Sequence, residues 1–464
     1  MKILKLYLSL ILISVLMHSC EKYLDVKRTN TQVPIKSTQD LQLLLDNMTL
    51  NLGLSNDGTL SADDYYVDNN IYISQDVTNE DRDFYTWNNA AIRNSSSSWQ
   101  HTYFIIYTAN LIIENSDKFR KNKSEDIQKL DILKGSALFY RAWGHWNLAQ
   151  LYAKTYAAGT ASQDIGIPLK MSSDINEKIV RSNVKETYDQ VLRDLQEATS
   201  LLPNTVVIAT RPSKAAAYAM LARVYLSMEE YKSALENATA SLQINNQLLD
   251  FNTLSKTDAA PFVRYNKEVL FHSISSSSLL LEPGTADAPI AKIDPGLAAS
   301  YEANDLRKVL YIKANIGPLH VGTFRFSGNY DGSVSSSLFN GIAIDEVYLI
   351  RAECYARAGN IVSGQADLNT LLKSRWINGT YINISIDNAD QLLSKILTER
   401  RKELLMRGLR WSDLRRLNRD NRFAKTLVRT AQSITYTLPA NDNRYVLLIP
   451  TEVIQNNNVT QNFR

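Results

Sequence analysis

Two stretches of this chain carry the same spacing of small residues and tyrosines, and that spacing limits the fold more than any other feature. Residues 214–244 place Ala222, Tyr225, Tyr231 and Ala234 where the two helices of a tetratricopeptide pair meet. Small residues let antiparallel helices approach, and the tyrosine fills the gap between them. Residues 345–375 repeat the pattern with Ala352, Tyr355, Gly359 and Gly364, and Asn360 stands in the turn. The two pairs lie far apart, so the repeats are interrupted and do not form a plain array. Three further amphipathic helices are expected, over 99–119, 130–152 and 184–202, the last closed by Pro203.

Between the pairs the character changes. Gly, Ser, Pro and Asp cluster over 250–340, and brief apolar runs such as Val269-Leu270-Phe271 suggest short strands. Residues 51–98 are similar. Both read as loop-rich insertions on a helical scaffold, where binding surfaces usually sit. The chain holds 24 Tyr against 12 Phe and 6 Trp. Tyrosine and tryptophan offer an apolar face with a polar tip, which suits helix packing and also stacking on sugar rings. Tyr103, Tyr140, Trp143, Tyr152, Tyr225 and Tyr355 lie on helical faces and are expected in the core. Tyr65, Tyr66, Tyr72, Trp87, Tyr301, Phe326 and Tyr330 fall in the loop-rich stretches and are the candidates for ligand contact.

The start of the chain points to export. Lys2 and Lys5 precede an apolar run from Leu6 to Met17, about 12 residues and too short to span a bilayer. The run ends Leu16-Met17-His18-Ser19-Cys20, which resembles a bacterial lipobox. Residues 1–19 then read as a signal peptide, and Cys20 as the lipidated first residue. Of the 2 cysteines the other is Cys354, so an acylated Cys20 leaves no disulfide partner.

Catalytic patterns are scarce. There is no His-Glu-x-x-His, no nucleophile elbow and no phosphate-cradling glycine loop. Ser182 to Lys185 fits Ser-x-x-Lys, a pattern too short to carry weight. His101, His145, His272 and His320 are isolated from one another, so no metal is expected, nor any cofactor. With 51 Lys+Arg against 48 Asp+Glu, no global field recruits nucleic acid. The basic run from Arg400 to Arg422 is interleaved with Glu399, Glu403, Asp413 and Asp420, and reads as a salt-bridged structural segment.

These residues together resemble the SusD/RagB family of outer-membrane nutrient-binding lipoproteins. The resemblance runs through Cys20 to Asp25, Trp99, Tyr103, Ala109-Asn110 and Gly166-Ile167-Pro168-Leu169. It continues through Ala222 to Leu226, Arg351-Ala352-Glu353, Glu399 to Leu404 and Gly408 to Arg416. It ends at Ile449 to Asn456 and Thr460 to Asn462. The chain departs from the family at its end, stopping at Asn462-Phe463-Arg464 where members often carry Gln-Asn-Pro-Gly-Tyr.

The resemblance implies a mainly α fold: tetratricopeptide-like pairs, long loop-rich insertions and a few short strands. Residues 20–250 would form an N-terminal helical region, and 251–464 a C-terminal region holding the insertion. It implies a surface lipoprotein, palmitate-bearing at Cys20, without enzymatic activity. Such a protein binds oligosaccharide or polysaccharide and delivers it to a SusC-like TonB-dependent transporter. Peptide capture for the same kind of transporter, or a surface glycoside hydrolase, are the alternatives.

Overall fold

Apolar spacing and end-capping place the helices. The computed structural model describes residues 34–123, 125–457 and 459–464; Cys20 and the leader over 1–19 lie outside the described residues. The scaffold helices are α1 (Ser97–Asn122), α2 (Ile127–Tyr152), α3 (Val184–Leu201), α4 (Lys214–Ser227), α5 (Tyr231–Ile244), α6 (Ile344–Arg357), α7 (Ile361–Lys373), α8 (Ala389–Glu403) and α9 (Arg410–Leu417). The three helices expected from spacing are α1, α2 and α3. Asn183 and Glu186 form a reciprocal capping box at the start of α3, and Ser213 caps α4. Between α6 and α7, Gly359 adopts φ 75°, a left-handed turn that a Cβ would strain, and Asn360 caps the helix that follows.

Each scaffold helix packs on the next, from α1 through α7, and α8 joins α6. Both tetratricopeptide-like pairs, α4–α5 and α6–α7, are present. The pairs are separated in sequence but not in space, because α5 packs directly on α6. Gly144 of α2 shows how close the first two helices come: a Cβ there would stand 2.7 Å from Ile106 Cγ1 of α1. Of the six helical aromatics expected inside, Tyr140, Trp143 and Tyr152 are buried. Tyr103, Tyr225 and Tyr355 are only half-buried.

The strands are short: β1 (Tyr65–Tyr66), β2 (Ile165–Pro168), β3 (Arg181–Asn183), β4 (Val269–Phe271), β5 (Lys292–Ile293), β6 (Ile312–Ala314), β7 (Phe324–Phe326), β8 (Ile342–Ala343), β9 (Leu427–Ala431) and β10 (Ile434–Leu438). Four form one antiparallel sheet in the order β1-β5-β7-β6. This sheet joins the two loop-rich stretches, since β1 comes from 51–98 and the other three strands from 250–340.

The basic segment is salt-bridged, as its composition suggested, but most of its partners are distant. Arg400 Nε donates to Asp413 at 2.8 Å, and Arg416 holds Glu353 of α6 at 2.6 Å. Arg410 holds Asp63 at 2.6 Å. Arg307, from the insertion, is fully buried against Asp305, Glu399 and Glu403, and Arg375 bridges Glu403 to Glu268. Burial pushes the Glu399 carboxyl upward, but Arg307, Lys402 and Lys395 outweigh it and hold the group at about 2. Burial prevails at Glu268, whose carboxyl rises to about 7 against the pull of Arg375.

Candidate functional site

Six of the seven loop aromatics expected to meet ligand are buried, four of them against cations. Arg429 of β9 lies 4.0 Å from the centre of the Tyr85 ring, 5.1 Å from Tyr65 and 5.0 Å from Trp87. The polar tips are also taken: Tyr65 donates to the Leu60 carbonyl and the Trp87 indole to the Ser61 carbonyl. Tyr72 packs on Tyr85. Tyr301 donates to the Lys402 carbonyl, with Arg307 and Lys402 over its ring. Tyr330 donates to Glu268, and Arg407 lies 3.5 Å from its ring centre. Phe326 sits on the inner face of the sheet. These six rings stabilise the loops and present no open stacking face, which counts against them as candidates for ligand contact.

Tyr66 differs. Successive residues of a strand point to opposite faces, and directly paired residues share a face. Tyr65 pairs with Ile293 and Ile312 with Phe326, giving a buried apolar face. Tyr66 pairs with Lys292, Lys292 with Arg325, and Arg325 with Lys313. The opposite face is therefore a row of one half-exposed tyrosine and three cations across four strands. The Lys292 amine is 5.9 Å from the centre of the Tyr66 ring, within ion-pair reach of Asp68, and 3.1 Å from His320 Nδ1. Burial, then the Asp68 charge, raises the Tyr66 hydroxyl above its ordinary range, so it stays a neutral donor. Beside the row the exposed turn over 316–322 carries Ile316, Leu319 and Val321. An aromatic face bordered by fixed polar groups can stack a sugar ring and orient its substituents.

Sequence reasoning passed over Lys292, Arg325 and Lys313. A signal was present in Phe324-Arg325-Phe326 and Ile312-Lys313, where apolar and charged residues alternate with the strand period. What could not be read was which strands would meet.

A second concave surface lies on the scaffold. A groove of about 340 Å³ runs along α1, lined by Trp99, Tyr103, Phe104 and Tyr107 with Lys170 and Glu177 opposite. Phe104 and Tyr107 are 42% and 38% exposed. Lys170 and Glu177 pair with each other at 2.8 Å, so the polar side of this groove is already satisfied.

Other chemistry-bearing residues are accounted for locally. The Ser182 hydroxyl donates to the Ile167 carbonyl, while Lys185 pairs with Asp189, so the two share no site. His145 is buried, and its burial and Arg141 hold the imidazole down at about 3, hence neutral. Among the described residues no three His, Cys, Asp or Glu side chains converge to hold a metal ion. No helix among them is long and apolar enough to cross a membrane.

Comparison with known proteins agrees with this architecture. Residues 22–226 match the SusD-like family described as starch-binding and associating with the outer membrane, and residues 326–463 match the SusD family. The chain belongs to the SusD/RagB family. It is 25% identical to SusD-like protein P2 of Formosa agariphila, over 70% of this chain and 72% of that relative. A crystal structure of a SusD superfamily protein from Bacteroides thetaiotaomicron superposes with TM-score 0.73 at 23% identity, covering 92% of this chain and all of that one. A laminarin-binding SusD-like protein superposes with TM-score 0.67 at 18% identity, covering 92% and 99%.

Proposed function

We propose that this chain is a non-catalytic glycan-capturing lipoprotein of the outer-membrane surface, anchored through Cys20. It would pass oligosaccharide or polysaccharide to a SusC-like TonB-dependent transporter. Family membership supports the class, and the open sheet face around Tyr66 is the observation that carries the site. Of the seven loop aromatics Tyr66 alone keeps an accessible surface, and it has fixed polar neighbours on a face built from both loop-rich stretches. Stacking would supply affinity, and Asp68, His320 and Arg325 would orient the sugar's substituents.

The α1 groove gives a second reading, because Phe104 and Tyr107 also present aromatic surface. Affinity electrophoresis through polysaccharide gels separates the two. Tyr66→Ala is expected to lose retardation, with a drop in affinity of roughly tenfold or more, and Tyr107→Ala to keep it. The reverse result would move the site to the scaffold. Release of reducing ends during incubation would replace capture by hydrolysis. Retention of a peptide with no retention of any polymer would favour peptide capture.

A further inference from the structure

The outward face of the β1-β5-β7-β6 sheet carries more positive charge than its fold requires. Lys292, Arg325 and Lys313 stand directly opposite one another on neighbouring strands. Like charges in that position destabilise a sheet. Lys292 is 2% exposed and has Asp68 as its counter-ion. The other two have none within ion-pair distance among the described residues. Arg325 donates to the Ala314 carbonyl at 2.8 Å and to Asn315 Oδ1 at 3.3 Å, both neutral acceptors. Lys313 donates to the Lys256 carbonyl at 2.6 Å. Asp258 is the acidic group facing Lys313, beyond pairing distance.

The chain's other buried cations are satisfied from within, by carboxylates or, at Arg415 and Arg429, by three backbone carbonyls each. Arg307, Arg375, Arg400, Arg407 and Arg416 all meet carboxylates. Arg325 and Lys313 differ in standing side by side on one sheet face, half-exposed and without a carboxylate partner. Burial, and for Lys313 the neighbouring Arg325, holds both below their ordinary pKa range, the mark of charge without a counter-charge. The row ends at Tyr66, the half-exposed ring proposed above for stacking.

We infer that this face takes an acidic sugar chain, with Tyr66 stacking one residue while Arg325 and Lys313 receive a carboxylate or sulfate ester carried by the next. A planar guanidinium meets either anion through two parallel hydrogen bonds, and the lysine adds a point charge. The inference rests on the glycan-capture reading and adds the ligand's chemical class.

The test uses the intact protein in affinity electrophoresis against three polymers of distinct charge: a neutral β-glucan, polygalacturonate (carboxylate) and a sulfated galactan (sulfate ester). One acidic polymer is expected to retard the protein and the neutral one not to. The polymer that binds identifies the anion. Arg325→Gln with Lys313→Gln should weaken binding roughly tenfold or more, without changing the melting temperature, and 0.5 M NaCl should weaken the parent protein too. Lys232→Gln, an exposed cation on α5 away from the sheet, should bind as the parent does. An equal loss in Lys232→Gln would reduce the effect to general attraction and overturn the inference. Retardation by the neutral polymer, insensitive to the double substitution, would also overturn it and leave glycan capture standing. Retention by none of the three would count against the acidic-sugar inference and against glycan capture together.

Discussion

Arg429 explains at one residue why the loops before α1 have a fixed shape. Its guanidinium donates to the Leu60 carbonyl at 2.8 Å, to the Tyr85 carbonyl at 2.5 Å and to the Ala62 carbonyl, inside a cage of three aromatic rings. Arg429→Ala would orphan three buried carbonyls and empty the cage. A loss of about 3 kcal/mol or more is expected by urea unfolding. Arg429→Lys should recover only part, since one ammonium cannot reach three carbonyls as a fork does. At Tyr66 the opposite holds: Tyr66→Ala should change glycan affinity and leave the unfolding midpoint within about 0.5 kcal/mol. The contrast explains what was legible at this scale. Tyr65 and Tyr66 are adjacent and look alike in sequence, and only strand parity and a cation more than 350 residues away distinguish their roles.

At the scale of elements the helices were legible, and the distant partners of the charge network were not. Spacing of Tyr, Leu and Ala located α1, α2 and α3 because 3.6-residue periodicity is a local property. Arg415 shows what stays hidden. It leaves α9 and donates to the Ala149, Gln150 and Ala153 carbonyls, closing the C-terminal end of α2 across 260 residues of sequence. Two predictions belong here. Gly144→Ala forces a methyl against Ile106 where α1 and α2 cross, and should cost about 1–3 kcal/mol in unfolding free energy. The Glu399 network sets an acid limb. Its carboxyl is held at about 2 in the folded chain against an ordinary value near 4.5. A depressed carboxylate adds stability above its unfolded value, and this is lost as pH falls from about 4.5 toward 2. Urea midpoints should therefore fall between pH 5 and 3, with a shallower slope in Glu399→Gln. An unchanged slope would show that Glu399 carries none of the limb. Glu268 acts with the opposite sign, because its raised carboxyl favours the folded chain below pH 4.5 and loses that contribution as pH rises toward 7.

The whole molecule is a stack of helices carrying a loop-built sheet. The interruption between tetratricopeptide-like pairs was visible in sequence as a run of Gly, Ser, Pro and Asp. That its strands would recruit Tyr65–Tyr66 from the first insertion was not, since β-pairing across more than 200 residues leaves no local trace. Capture at a surface also requires an anchor. Cys20→Ser is expected to move the protein from the membrane fraction to the soluble fraction and to abolish incorporation of labelled palmitate. Membrane retention of that variant would remove the proposed lipid anchor.

The most direct test of the central claim is a crystal structure of the intact protein soaked with an oligosaccharide cut from a polymer that retards it. The account predicts a sugar ring against Tyr66, with its substituents within hydrogen-bond distance of Arg325 or Lys313. A sugar held in the α1 groove against Phe104 and Tyr107, with the sheet face empty, would contradict it.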